Sequence, residues 1–321
     1  MHLHPLMAIM LYWDQVHSHM AVHQGKEPVW MKLFADDLPF FKGNLHCHTT
    51  DSDGKLTPVE CKAFYQSRGY DFLSITDHRI LSEETHVENG MLVLSGMEMD
   101  YFLPGEVVHL VGVGMDTGIV RRDLSRNPQT AIDMYNRHGG RAILAHPAWS
   151  LNTVTTISAL RGLMAAEIYN SVSTYPWNGD RADSSSVLDA AAAHGTFLNL
   201  VASDDSHWYN GEAGRSFTMV QAEELTQESL FEAMDQGRFY CSQGPEIRQI
   251  TVEENAFTVE CSPAERVIFY SNLVWANNRC VSQPGMTEAS YTAHPENGET
   301  FVRIQVMDKE GRSAWSNPVR L

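Results

Sequence analysis

A chain of 321 residues with 43% hydrophobic residues and a formal charge of -17 at pH 7 has the composition of an acidic globular protein. Its length exceeds the usual reach of a single core, which predicts one large domain and a smaller one. The acidic balance excludes sequence-independent wrapping of duplex nucleic acid, which needs clustered Lys and Arg. No run of about 18 apolar residues predicts a membrane span.

Residues 1–30 carry His2, His4, His17, His19 and His23 but no strand or helix period. They lack the basic start and small-residue cleavage site of a signal peptide and read as an extension upstream of a domain beginning near Met31. Five cysteines (Cys47, Cys61, Cys241, Cys261 and Cys280), scattered and without a CxxC pair, suit neither a disulfide framework nor a structural zinc site. A cytoplasmic protein is expected.

From residue 43 onward short apolar runs alternate with helical segments. Strands are predicted over residues 43–46, 72–76, 91–95, 109–113, 141–145, 166–169 and 197–202. The helices between them are marked by their ends. Thr57, Pro58 and Glu60 form a capping box with proline at the first position, and Gly69 closes that helix. Asn127 and Pro128 open another; further helices are predicted over 180–194 and 226–236. Seven strands with crossover helices predict a parallel α/β barrel or a barrel-like fold over residues 31–244. After Gly244 and Pro245 the pattern becomes alternating, and residues 245–321 read as a β-sandwich of roughly 75 residues.

The chemistry gathers at the ends of the predicted strands. In HCHTTDSDG (46–54) the period of two places His46 and His48 on one face, roughly 7 Å apart along the backbone, so both can reach one ion. A lone HxH is weak evidence. Recurrence changes that: Asp77 and His78, Glu98, His146, and then Asp204, Asp205 and His207 each follow an apolar strand, and in parallel barrels those ends share one face. His109 differs, opening its run (HLVGVG) instead of closing it. Imidazole and carboxylate without thiolate suit Zn, Mn or Fe, with Mg fitting an oxygen-rich position. Five or six histidines with Asp53, Glu98 and Asp205 are enough for two or three divalent ions. Such ions lower the pKa of a bridging water from about 15.7 toward neutrality and neutralise an anionic substrate.

HCHTTDSDG, SITDH, GMEMD, VHLVGVG, LAHP and ASDDSH, in this order, resemble the successive motifs of the PHP (polymerase and histidinol phosphatase) superfamily. The resemblance implies a distorted seven-stranded (β/α) barrel whose di- or trinuclear centre hydrolyses phosphate esters. By position it implies one metal held by His46, His48, Glu98 and Asp205, a second by Glu98, His109 and His146, and a third by Asp53, His78 and His207. The doubled Asp204-Asp205 leaves a choice that the spacing to His207 resolves toward Asp205, with Asp204 supporting it from behind. Amidohydrolases share the HxH but carry a metal-bridging lysine at a strand end, and no strand end here has one. The ending FYCSQGPEI followed by a sandwich closing in SAWSNPVRL is similar to a two-domain PHP branch that includes carbamate-ester hydrolases.

For substrate contacts, Arg79 follows TDH and Arg215 lies in GEAGRSF; either offers a fork to a phosphate. Tyr175 and Trp177 follow EIYN, where an aromatic can stack on a base or act as packing. Asp77 is expected to orient a ligand histidine, Asp51 to serve a turn and Cys47 to pack in the core. His138, His194 and His294 receive no role. The sequence therefore predicts a metal-dependent phosphoesterase acting on a small-molecule phosphate ester or nucleotide through a metal-bridging hydroxide, with Asp205, His207 and Arg215 as the catalytic set. Hydrolysis of a carboxylic or carbamic ester at the same centre is the alternative, and a non-catalytic metal-stabilised binding module the third.

Overall fold

The computed structural model of the protein describes residues 30–119 and 126–321. The N-terminal histidine-rich segment up to residue 29 lies outside them. In chain order the strands are β1 (Trp30–Lys32), β2 (Phe40–Asn44), β3 (Phe72–Ser74), β4 (His86–Glu88), β5 (Met91–Leu94), β6 (Gly96–Leu103), β7 (Glu106–Val113), β8 (Arg141–Leu144), β9 (Leu163–Asn170) and β10 (Asn199–Ser203). They continue as β11 (Phe217–Gln221), β12 (Phe239–Ser242), β13 (Ile247–Glu253), β14 (Ala256–Tyr270), β15 (Cys280–Thr292), β16 (Phe301–Met307), β17 (Ser313–Ser316) and β18 (Val319–Arg320). The helices are α1 (Pro58–Gln66), α2 (Pro128–Arg137), α3 (Val154–Ala159), α4 (Ser185–Ala193) and α5 (Gln227–Asp235). The result is a mixed α/β structure with few helices and large sheets.

Local chemistry explains where the helices begin. Thr57 Oγ1 accepts from Glu60 N while Glu60 Oε2 accepts from Thr57 N at 2.9 Å, the reciprocal box expected at the head of α1. Asn127 caps α2 through Thr130 N at 2.9 Å, and Thr226 caps α5. The helix predicted from residue 180 starts only at Ser185. Asp183 is held by a bridge to Tyr169, and its carboxylate accepts from Ser185 N at 2.7 Å.

Two sheets carry the strands. One follows the order β1-β13-β14-β16-β17-β12-β11-β2-β3-β5-β4, with β15 on β14 and β18 on β16; the other is β10-β9-β8-β7-β6. Isolated parallel bridges, Cys47 to Ser206 and His78 to Glu98, bring the two sheets together beyond β2 and β3. All seven predicted strands overlap observed ones, but the expected all-parallel order is corrected at β7, which runs antiparallel to both β6 and β8. The cause is a tight hairpin at Pro104-Gly105, where Gly105 has φ 85°, the left-handed value glycine accepts at this turn position.

Strands from opposite ends of the chain are knit together. β1 spans the expected boundary at Met31 and pairs with β13, matching Trp30 to Glu253 and Lys32 to Thr251. β12 pairs with β17, and Trp315 of β17 stacks on Tyr169 of β9 at 5.4 Å. Arg303 of β16, 1% exposed, makes two bonds to Asp189 of α4 at 2.8 and 2.7 Å. These contacts give the last strands a fixed position against the sheet that carries the site.

Candidate metal centre

The site is built where β2, β3, β6, β8 and β10 end or cross. His46 and His48 follow β2 and are fixed through their backbones, Asp205 N donating to His46 O at 2.9 Å and His48 N to Ser206 O at 3.0 Å. Cys47 between them is buried and packs with Cys61, Tyr65 and Leu73, as its place on the opposite face requires. Gly54 allows the next turn to fold back: a Cβ there would stand 2.3 Å from His48 O. That turn carries Asp53 over the imidazoles, with Asp51 exposed beside it. His146 (φ 31°) and Asp205 (φ 51°) both adopt left-handed backbone at strand ends, a strain commonly found at functional sites.

Glu98 is the centre of the cluster. Its Oε2 lies 3.4, 3.3 and 3.1 Å from His46 Nε2, His48 Nε2 and His78 Nδ1, and its Oε1 lies 2.8 and 3.4 Å from His109 Nδ1 and His146 Nε2. Asp205 Oδ1 stands 3.2 Å from His46 Nε2 and 3.0 Å from His48 Nε2. Asp53 faces His48, His78 and His207 at 3.5 to 3.7 Å. Donor atoms of His46, His48 and Asp205 lie within 4.8 Å of one another, as do those of His46, Glu98 and His146, and those of His48, Asp53, His78 and His207. All nine residues expected as ligands meet here, His109 through Glu98. The reversed strand explains its odd place in the sequence, because the start of β7 lies beside the end of β6.

Electrostatics follow from burial and pairing. Burial alone would lower the pKa of His46, but Asp205, Glu98 and Glu167 outweigh it and hold the group well above the usual histidine range. His48 is raised the same way, to about 9, by the adjacent carboxylates of Asp205 and Glu98. Burial is opposed in turn at Glu98 by His46 and His109, and at Asp205 by His46 and His207; both carboxyls stay below their ordinary values. His78 is the exception, since burial exceeds the pull of Glu98 and lowers it.

Around this core the roles expected of Asp77, Asp204, Arg79 and Arg215 are corrected. Asp77 touches no histidine ring; it accepts from Thr49 N at 2.8 Å, from Thr49 Oγ1 and from Ser52 Oγ, anchoring the turn after the HxH. Asp204 accepts from Gly214 N, Arg215 N, Ser216 N, Tyr65 and Ser171, so it holds the loop after β10, and burial still pushes its carboxyl up to about 6. Arg79 is paired with Asp100. Arg215 is exposed and outside the residues lining the cavity over the cluster. Tyr175 and Trp177 stack on each other at 4.5 Å beside that cavity, with Trp208 edge-on to both. His138, His194 and His294 pair with Asp116, Ala190 O and Glu296, away from the cluster.

Other residues at the site had no assigned role. The cavity, about 240 Å³, is lined beyond the ligand set by Trp149, Trp208, Val172, Ser173 and Asn178. Glu212 accepts backbone N–H bonds from His207, Trp208, Tyr209 and Asn210 and shapes the loop that presents Trp208. Glu167, buried on β9, lies 2.9 Å from His46 Nδ1. Its sequence signal is a lone acid inside the apolar run LMAAEIYN.

No family model matches the chain. Over 80 residues it is 32% identical to a 5'-3' exoribonuclease of Haemophilus influenzae, a match covering 23% of this chain and 29% of that protein. Its fold matches a crystal structure from Bacteroides vulgatus described as a two-domain protein containing a predicted PHP-like metal-dependent phosphoesterase. The TM-score is 0.51 at 15% identity, covering 94% of this chain and 99% of the other. An amidohydrolase from Chromobacterium violaceum, with bound sulfate and no metal, aligns at a TM-score of 0.38 and 17% identity over 61% of this chain and 96% of its own. The chain thus shares the overall fold of that two-domain structure. Among the described residues no helix is long and apolar enough to cross a membrane.

Proposed function

We propose that the chain is a metal-dependent hydrolase, and specifically a cytoplasmic phosphoesterase that cleaves a phosphate ester of a small molecule or nucleotide. The observation that carries this is the convergence of six histidines with Glu98, Asp205 and Asp53, five of the imidazoles facing Glu98, in a cluster with unmet polar atoms. His48 Nδ1 and Asp205 Oδ1 are buried without a hydrogen-bond partner, and His46 Nε2 faces His48 Nε2 at 3.2 Å. Buried polar atoms left unpaired are costly, and nitrogen facing nitrogen beside carboxylates is a donor set for divalent cations. Zn, Mn or Fe fits it, with Mg suited to the oxygen-rich side. His46, His48, Glu98 and Asp205 would hold one ion, Glu98, His109 and His146 a second, and Asp53, His78 and His207 a third. When bound, such ions lower the pKa of water and stabilise charge on a displaced phosphoryl group.

Strand neighbours support a seven-stranded barrel as the frame: β2, β3, the β5–β6 segment, β7, β8, β9 and β10 succeed one another by pairing or bridge. Residues 31–244 are proposed as the catalytic unit and 245–321 as a β-sandwich, with β1 exchanged onto the latter's sheet. Free cysteines at all five positions support a reducing compartment. Trp149 and Trp208 wall the cavity, while Ser173 and Asn178 offer neutral hydrogen bonds to substrate.

One observation favours a second reading, hydrolysis of a carboxylic or carbamic ester. Among the described residues, those lining the cavity include neither Lys nor Arg, so a dianionic group meets no permanently charged cationic side chain there. Purified protein loaded with Mn, Zn or Fe is assayed on an aryl phosphate, its diester, a nucleotide, an aryl carboxylate and an aryl carbamate. Phosphate ester cleavage that His48→Ala abolishes is expected. Turnover of the carboxylate or carbamate alone overturns the phosphoesterase assignment, and metal analysis finding no bound ion overturns the metal centre.

A further inference from the structure

Glu167 is 1% exposed and sits in β9 between Ala166 and Ile168, where an acid has no place unless it is paired. Its two oxygens meet three donors. Oε1 lies 2.9 Å from His46 Nδ1, and Oε2 accepts from the backbone N–H of His146 at 2.9 Å and from Asn170 Nδ2 at 2.8 Å. Asn170 Nδ2 also reaches Asp205 Oδ2 at 3.2 Å. One carboxylate therefore connects to three separate members of the proposed ligand set.

We infer that Glu167 is a positioning residue that fixes the tautomer of His46, and that it does so because its carboxylate only accepts. The inference rests on the metal centre proposed above. An ionised carboxylate has no proton to give, so Nδ1 of His46 must carry one. Once a metal ion displaces the proton on Nε2, that nitrogen would present its lone pair to the space it shares with His48 Nε2, Asp205 Oδ1 and Glu98 Oε2, at 3.2, 3.2 and 3.4 Å. A metal ligand imidazole needs that arrangement, with its other nitrogen donating outward.

The isosteric amide does not reproduce it. Glutamine has one accepting and one donating end, and the backbone N–H of His146 cannot stop donating. With the amide oxygen turned to His146 and Asn170, the amide NH₂ faces His46 Nδ1, which must then accept. The ring proton moves to Nε2 and points into the cluster, removing the lone pair. With the amide reversed, two buried N–H groups lose their acceptor. Either way Glu167→Gln disturbs metal binding without changing side-chain volume.

The test compares metal-free wild type and Glu167→Gln by calorimetric titration with Zn²⁺, with long-range proton–nitrogen spectra of the zinc-loaded proteins. Expected are a 10- to 100-fold weaker affinity in the variant, an unchanged circular dichroism spectrum, and in the wild type a His46 ring protonated at Nδ1 and bound through Nε2. Wild type that binds no zinc removes the metal centre and the inference together. Wild type that binds zinc with a variant within threefold of it overturns the inference alone. So does a His46 signal protonated at Nε2 in the zinc-loaded wild type, a result that needs no variant to fold.

Discussion

Glu98 Oε1 lies 2.8 Å from His109 Nδ1, across a hairpin whose register pairs Asp100 with His109. Ten residues of chain separate the two, yet the turn at Pro104-Gly105 returns β7 so that a histidine near its start arrives at the same place as residues near the ends of the parallel strands. Glu98 thereby faces five imidazoles with two oxygens. Replacing it by glutamine removes the negative charge that every one of them shares. Metal content and kcat/KM of Glu98→Gln are expected to fall by more than the roughly 10- to 100-fold typical of a supporting group. Elemental analysis alongside a phosphatase assay checks this. The metal-free variant should also melt earlier, because a buried ion pair broken on one side costs about 3–5 kcal/mol.

That hairpin also marks how far the sequence could be read. The HxH, TDH, LAHP and DDSH segments were legible because each follows an apolar strand whose end must reach one face. His109 was recognisable only as an exception, since a run that opens with its functional residue makes sense only if the strand is reversed, and the Pro-Gly turn was the available sign. Glu167 was not legible as a partner of His46, 121 residues away, because a single acid in an apolar strand says nothing of which donor it meets. Arg79 and Arg215 were chosen by adjacency to motifs, which is no measure of where a long side chain points. Asp100 takes the first, and the second stands outside the cavity.

The chelated protein should lose stability as pH rises from neutrality. His48 is held at about 9, above its ordinary 6.5, by carboxylates that outweigh its burial. A raised folded-state pKa gives stabilisation that is complete below the unfolded value near 6.5 and is lost as pH climbs through about 9. Thermal melts between pH 6 and 10 are expected to show Tm falling over that window, and zinc loading should flatten the trend because a ligand imidazole is already unprotonated. Proton release on adding zinc at pH 7, measured in buffers of different ionisation enthalpy, tests the same point. A Tm that rises from pH 7 to 9 in the chelated protein contradicts it.

Asp189 and Arg303 separate fold from chemistry. Their paired bonds join α4 to β16, and Arg303 Nη1 already lacks a partner in its buried position. Asp189→Ala leaves the guanidinium enclosed and unpaired, with an expected loss of about 3–5 kcal/mol in chemical denaturation. Metal stoichiometry below the transition should be unchanged, since neither residue is among the clustered donors. Replacing both residues by apolar side chains of similar volume should recover most of the loss. Reduced zinc binding in folded Asp189→Ala protein would show that the two parts are coupled.

The cavity wall decides whether charge or an aromatic surface selects the substrate. Trp208 lines the cavity, meets the stacked Tyr175 and Trp177 edge-on and is fixed by a loop that Glu212 pins through four backbone bonds. Arg215 lies in the same loop but outside the lining. On an aryl phosphate, Trp208→Ala is expected to raise KM by about 10-fold or more, in line with the roughly 1–3 kcal/mol that stacking on an aromatic contributes, while metal content stays constant. Arg215→Ala should leave kcat and KM within twofold. The opposite pattern, with kcat reduced by Arg215→Ala and little response to Trp208→Ala, would mean that the loop moves to bring the guanidinium over the substrate and that charge governs selection after all.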